Sequence, residues 1–252
     1  MSERAAGVIL AGGKLDPEMQ ALAGGSNRAL ISVGGRTMLE TVVSALTDSG
    51  LIEQLFVIGD VPESGRYTRL PDGGGFVENV FAGAEAAHES EFVLLATADL
   101  PFLTAESVRD FLQRALPLRA DVVYAAVTVE QCYERYPGIK RTSIRLREGR
   151  LTGGNIALVR RKFMETQRER LLQAYSSRKS PVRLARMMGF GTIARFAMSL
   201  AVPHILRIAD LERAMSRFIQ GNARALISHY PEIATDIDRP SDLKALQDLQ
   251  IV

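Results

Sequence analysis

Cysteine is almost missing from this chain of 252 residues. Cys132 stands alone, which excludes an intrachain disulfide and any metal site built from several thiolates. The three histidines, His88, His204 and His229, are scattered, without the spacing of metal ligands. Net charge is only +2, so no strong field for a polyanion is present and a nucleic-acid partner is not expected. No apolar run reaches the length of a membrane span. The nearest approach, Phe190 to Leu206, is interrupted by Arg195 and Pro203. It reads as a buried or subunit-contact helix, which leaves room for a homodimer. Ser2 to Ala6 is too short and too polar to be a targeting segment, so a cytoplasmic location is the expectation.

Two familiar phosphate loops are missing as well. A dinucleotide-binding turn needs Gly-x-Gly-x-x-Gly between strand and helix, but here Gly12 and Gly13 are adjacent and the next glycines are Gly24 and Gly25. A Walker loop needs a glycine well before its Gly-Lys and a hydroxyl residue after it. Around Gly13-Lys14 those positions hold Val8 and Leu15. What is present is Gly-Val-Ile-Leu-Ala-Gly-Gly-Lys at residues 7–14, a short apolar strand running into paired glycines. Glycine lets backbone N–H groups approach a ligand without Cβ interference. Successive N–H groups make a cradle for anions, phosphate above all.

Hydrophobic residues make up 46% of the chain and charged ones 24%, as in ordinary globular proteins with a substantial core. Unbroken apolar runs at Val8–Ala11, Leu55–Gly59, Phe92–Ala98 and Val122–Thr128 fit strands covered on both faces. Amphipathic stretches at Met38–Leu46, Val77–His88 and Val108–Leu116 alternate with them. That order predicts an α/β doubly wound, mostly parallel sheet with ligands at the carboxyl ends of its strands. The pattern changes beyond residue 150. Arg161–Tyr175, Val182–Leu200 and Leu211–Gln220 read as helices, and Ile205–Ile208 as a short strand. With no Pro/Gly/Ser-rich linker before it, this half is an appended region. One domain over 1–252 is expected, with a half at 6–128 for the nucleotide, a half at 129–252, and a helical insertion at about 160–222.

Three motifs follow in order: Leu10-Ala11-Gly12-Gly13 with Asn27-Arg28-Ala29-Leu30; Thr97-Ala98-Asp99-Leu100-Pro101; and Asp236-Ile237-Asp238-Arg239-Pro240-Ser241-Asp242-Leu243. With these the chain resembles the MobA-like nucleotidyltransferases, of the superfamily that joins an NTP to a phosphorylated small molecule. The likeness covers about residues 6–110 and 234–246 and is poor from 130 to 230. Arg28 stands where the family usually has lysine, and Arg239 where it has threonine.

The resemblance implies a Rossmann-like, GT-A-type nucleotidyltransferase fold and transfer of NMP to a phosphorylated acceptor with release of pyrophosphate. GTP or CTP is the favoured donor. It implies that Leu10, Ala11, Gly12 and Gly13 present backbone to the triphosphate, and that Arg28 and Lys14 neutralise charge at the phosphates. Asp99 and Asp238 would hold Mg²⁺, a hard cation suited to carboxylate oxygens, with Asp236 the alternative second ligand. By the same resemblance Gly74, Gly75 and Asn79 line the base pocket, and Gly154 and Asn155 meet the acceptor. The pairs Lys140-Arg141 and Arg178-Lys179 could grip an acceptor phosphate.

Each of these residues also has a plainer reading. Asp99 and Asp238 could be turn residues, Arg28 and Lys14 solvated charges, and 152–156 a hairpin turn. Two other functions stay open: a glycosyltransferase of related fold, which would typically carry Asp-x-Asp where Asp99-Leu100-Pro101 stands, and a non-catalytic nucleotide-binding regulatory module.

Overall fold

The computed structural model describes residues 4–13, 15, 17–23, 25–170, 172 and 206–248. Among them an eight-stranded mixed, mostly parallel sheet forms the centre. Strand β1 (Ala5–Leu10) lies between β4 (Ile52–Ile58) and β6 (Phe92–Thr97), parallel to both. Beyond β4, β5 (Thr68–Leu70) pairs in parallel. Two short strands, β2 (Ser32–Val33) and β3 (Arg36–Thr37), form a separate hairpin.

On the other side β6 is followed by β9 (Gly149–Arg160), which runs antiparallel to both β6 and β7 (Val122–Thr128). Strand β10 (Ala223–Ser228) closes that edge parallel to β7, and β8 (Ile144–Leu146) pairs with β9.

The four apolar runs read from the sequence are β1, β4, β6 and β7. They are apolar throughout because both faces are covered. Ile9 and Val57 pack with Leu39, Val42 and Leu46 of α2 (Met38–Asp48) and Phe111 of α4 (Ala105–Ala115). Ala6, Val8 and Ile58 pack on the opposite face with Ala86 of α3 (Phe76–Ala86). That second face continues into Phe163 of α6 (Arg161–Thr166) and Ile219 of α7 (Ile208–Ile219). Helix α2 starts where a capping box allows it: Glu40 N–H donates to Thr37 Oγ1 and Thr37 N–H to Glu40 Oε2, which satisfies two otherwise orphaned donors.

Two readings are corrected. No strand forms over the described part of Ile205–Ile208: Leu206 and Arg207 are irregular, and Ile208 opens α7. Leu206 is buried against Leu146 and Leu151, so its apolar character serves packing and not a ladder. Residues 152–156 are not a hairpin turn but the middle of β9. Of the expected insertion, residues 160–170, 172 and 206–222 are described, including α6 and α7, whereas Val182–Leu200 and Arg178-Lys179 lie outside the described residues.

A second, smaller core gathers the loops at the carboxyl ends of the strands. Leu15 and Met19, the latter on α1 (Pro17–Ala23), pack with Ile139, Ile237 and with Leu243 and Leu246 of α8 (Pro240–Asp248). Tyr136, which follows α5 (Val129–Arg135), stacks on Phe102 with ring centroids 4.6 Å apart. This cluster carries the loops that hold the charged site.

Candidate active site

Three carboxylates and one guanidinium converge where β1 and β6 end. Asp99 follows β6 directly. Its loop is tied to β1 by Ala98 N–H donating to the Leu10 carbonyl, 3.1 Å. Ile237 N–H donates to the Asp99 carbonyl, 3.1 Å, and this carries Asp236 and Asp238 to the same place. Oxygens of Asp99, Asp236 and Asp238 all lie within 4.8 Å of one another. The loop is held from both ends. Arg141 donates through Nη1 to the Ala234 carbonyl and through Nη2 to Thr235 Oγ1, the latter at 2.8 Å. Asp242, buried in the first turn of α8, accepts from the N–H groups of Asp238, 3.2 Å, and Arg239, 2.9 Å. Asp236, an alternative in the sequence reading, therefore stands with the other two.

Arg28 reaches this cluster from the first loop. Its Nη1 is 3.2 Å from Asp99 Oδ2 and is also paired with Asp238 Oδ1. The long loop after β1 is pinched at its neck by Leu15 N–H donating to Ser26 carbonyl, 3.3 Å, and Arg28 N–H to Gly13 carbonyl, 3.4 Å. The pinch sets Arg28 beside the paired glycines. Asn27 steadies it, accepting from Ala29 N–H at 2.9 Å and donating to the Asp60 carbonyl at 2.7 Å. Lys14 lies outside the described residues.

The electrostatics of the cluster are strained towards protonation. Burial chiefly, then the charges of Asp99 and Asp238, push Asp236 up to about 7. Burial also raises Asp99, opposed by the Thr97 hydroxyl and by Arg28. Asp99 Oδ1 and Thr97 Oγ1 are both buried without a partner in hydrogen-bond geometry. Carboxylates at such spacing raise the pKa of a neighbour, as Asp236 shows, and a cation among them opposes this. Arg28 supplies one such cation, paired with Asp99 and Asp238.

On the glycine side, Leu10 ends β1 and Ala11 is buried, its N–H donating to the Ile58 carbonyl at 2.8 Å. Gly59, at φ +150°, lets β4 press on this turn, since a Cβ there would sit 2.6 Å from the Ala11 carbonyl. A Cβ on Gly12 would sit 2.7 Å from Asn79 Nδ2 and 3.0 Å from the Asp72 carboxylate. Gly13 is exposed. Gly74 lies in an Asx turn, its N–H donating to Asp72 Oδ1 at 2.9 Å, and Gly75 is the N-cap of α3. Asn79 is buried and its amide is engaged, accepting from Gly73 N–H at 2.7 Å and donating to Asp72 Oδ1 at 3.0 Å. It braces the 72–75 loop against Gly12.

Beside the carboxylates opens a cleft of about 330 Å³, lined by Lys140, Arg239, Asn155 and Gly153 as well as Asp236 and Asp238. Asn155 reaches it because β9 bulges: its pairing with β7 jumps from Tyr124–Ala157 to Ala126–Gly153. Gly154 is buried on Ile233 and Ala125, where a Cβ would come within 2.8 Å and 3.0 Å. Arg141 and Arg239 are residues whose place here sequence reasoning does not give. Arg141, one of the pair the sequence offers for an acceptor phosphate, lines this cleft while its guanidinium also holds the aspartate loop.

The sequence itself matches a known family. Residues 7–186 fit the model of the MobA-like NTP transferase domain. The chain belongs to this family. It is thus a nucleotidyltransferase by membership. A solved hypothetical transferase from Thermus thermophilus is 35% identical over 95% of this chain and 99% of its own, with TM-score 0.84. The 2-C-methyl-D-erythritol 4-phosphate cytidylyltransferase from Thermus thermophilus is 19% identical over 99% of this chain and 100% of its own, with TM-score 0.54. A CMP:2-keto-3-deoxy-manno-octonic acid synthetase solved with CTP is 14% identical over 98% of each chain, with TM-score 0.55. These last two share the fold. No curated protein sequence gives a significant match. Among the described residues, no helix of this nucleotidyltransferase is long and apolar enough to cross a membrane.

Proposed function

We propose that this nucleotidyltransferase moves NMP from an NTP to a phosphorylated small molecule and releases pyrophosphate. The observation that carries the reading is the meeting of Arg28 with Asp99, Asp236 and Asp238 beside the Gly12-Gly13 turn. An oxygen of the acceptor phosphate attacks the α-phosphorus, the bond to the bridging β-oxygen breaks, and pyrophosphate takes the electron pair. Such in-line displacement gains most from positioning and charge neutralisation.

Leu10, Ala11, Gly12 and Gly13 supply the backbone turn that faces the triphosphate, and Lys14 a further cation. Arg28 neutralises charge on the α-phosphate and leaving group, which an arginine fork does in bidentate fashion. To do so it leaves Asp99 and Asp238. The three carboxylates fit Mg²⁺, since every donor is a hard oxygen and Asp99 Oδ1 is buried with no partner. When bound there, Mg²⁺ would act as Lewis acid and template for the phosphates. Gly74 and Gly75, on the loop braced by Asn79, frame the nucleoside. Gly154 places the β9 bulge, and Asn155, with Lys140 and Arg239, meets the acceptor.

CTP and GTP are the first donors to test. Pyrophosphate release measured across the four NTPs with Mg²⁺ and pooled sugar and alcohol phosphates should single out one donor. Failure of every NTP to bind in calorimetry with Mg²⁺ would refute the reading.

A further inference from the structure

A second cavity adjoins the cleft. It has a volume of about 410 Å³ and lies between the β7–β10 end of the sheet and α7, walled by Ile144, Leu146, Leu151, Leu211, Met215 and Tyr124. Its size falls in the range of small-molecule sites, roughly 300–1,000 Å³. The charged residues at its rim are turned elsewhere. Glu212 pairs with Arg224 at 3.6 Å and accepts from Ala225 N–H at 2.9 Å, so the walls stay apolar.

The two cavities meet on one stretch of β9. Thr152 and Gly153 line both. Gly153 lies against the Tyr124 hydroxyl, where a Cβ would come within 2.5 Å. Tyr124 is 45% exposed, unusual for a large aromatic on a central strand. Its hydroxyl packs on Gly153, the residue that lines both cavities. Tyr124 thus stands where the cleft and the apolar chamber share Gly153. A polar tip and apolar body suit such a boundary.

We propose that the acceptor is amphiphilic: its phosphate lies in the cleft with Lys140, Arg239 and Asn155, and an aliphatic arm passes Gly153 into the apolar cavity. The proposal rests on the transfer reading above and adds the chemical class of its acceptor. The wall that the two cavities share at Thr152 and Gly153 selects this occupant, because it sets an aliphatic arm beside a phosphate held in the cleft.

Calorimetry on the full chain with Mg²⁺ tests it, using octyl phosphate and ethyl phosphate, both below micelle-forming concentration. Each fully buried methylene adds roughly fourfold in affinity, so octyl phosphate should bind at least about thirtyfold tighter than ethyl phosphate. Ala225→Phe, which fills the cavity, and Leu211→Glu, which charges its wall, should each bring the octyl-to-ethyl ratio close to one. Should one variant fail to fold, the other still reports. A ratio near one in the unaltered protein overturns the proposal, and so does a ratio undiminished in folded Ala225→Phe. NTP binding is titrated separately and bears on the transfer reading, whereas the octyl-to-ethyl ratio bears on the arm.

Discussion

The N–H of Ile237 and the carbonyl of Asp99 are joined by a 3.1 Å hydrogen bond, across a separation of more than half the chain. Ile237 is fully buried in the small core with Leu243 and Leu246. Its side chain anchors inward while the aspartates on either side turn to Asp99. The geometry of the acidic cluster therefore depends on an apolar residue that carries no charge.

Ile237→Ala should cost about 2–5 kcal/mol in stability, as for other buried isoleucines cut to alanine. It should also weaken Mg²⁺ binding by about 10–100-fold, the usual scale for losing support behind metal ligands. Thermal unfolding and metal titration measure the two effects. Unchanged metal affinity in a folded Ile237→Ala protein would show that the loop keeps its register without this anchor.

Asp236, pushed up to about 7 from 3.8, makes the metal-free protein sensitive to pH. The folded state holds the proton more tightly than the unfolded state. Stability is therefore greatest below the unfolded pKa and falls as pH rises from about 4 to about 7. Asp99 is shifted in the same direction. Asp236→Asn should flatten this slope in denaturant melts taken at several pH values. Mg²⁺ requires the ionised form, so its affinity should rise with pH and level off above about 7. A pH-independent affinity between 5 and 7 contradicts the shift.

The parts of this architecture that repeat a local rule are readable from residues alone. Runs such as Phe92–Thr97 are apolar at every position because helices cover both faces, and that pattern needs no partner to be recognised. Strand β9 is hidden because Thr152-Gly153-Gly154-Asn155 has the composition of a turn, yet its glycines serve close packing on Tyr124 and Ile233. Asp99 and Asp238 can be picked out through family resemblance. The place of Asp236 beside them depends on the Ile237–Asp99 bond, a long-range contact that no local pattern encodes. Arg141 is a similar case: only the fold reveals that its guanidinium holds Ala234 and Thr235.

Arg28 separates two effects that are usually confounded. In the metal-free protein it neutralises Asp99 and Asp238; in transfer it serves the phosphates. Arg28→Ala should bind Mg²⁺ or Mn²⁺ more tightly, since no cation competes for the carboxylates, yet lose about 10²–10³-fold in kcat. Arg28→Lys should recover part of the rate, as a point charge without the bidentate fork. Metal titration and pyrophosphate release, run on the same preparations, give the two numbers. Weaker metal binding in Arg28→Ala would mean that the arginine orders the carboxylates more than it competes for them.

The contact between Gly12 and Asn79 makes the phosphate turn and the 72–75 loop a single unit. Gly12→Ala drives a methyl to 2.7 Å from Asn79 Nδ2 and should cost about 1–3 kcal/mol by overpacking. Asn79→Ala removes the acceptor of Gly73 N–H and the donor to Asp72, at a similar cost of about 1–3 kcal/mol for groups left unsatisfied. In the double variant the tightest of the methyl's contacts is gone, and only the Asp72 carboxylate, 3.0 Å away, still crowds it. The combined loss in denaturant unfolding should thus fall short of the sum by about 0.5 kcal/mol or more, the range for residues in contact. NTP affinity should drop in both single variants, because each displaces the loop that frames the nucleoside. Strict additivity in the cycle would mean that Gly12 is small for the sake of a ligand alone, and that the two loops respond to substrate independently.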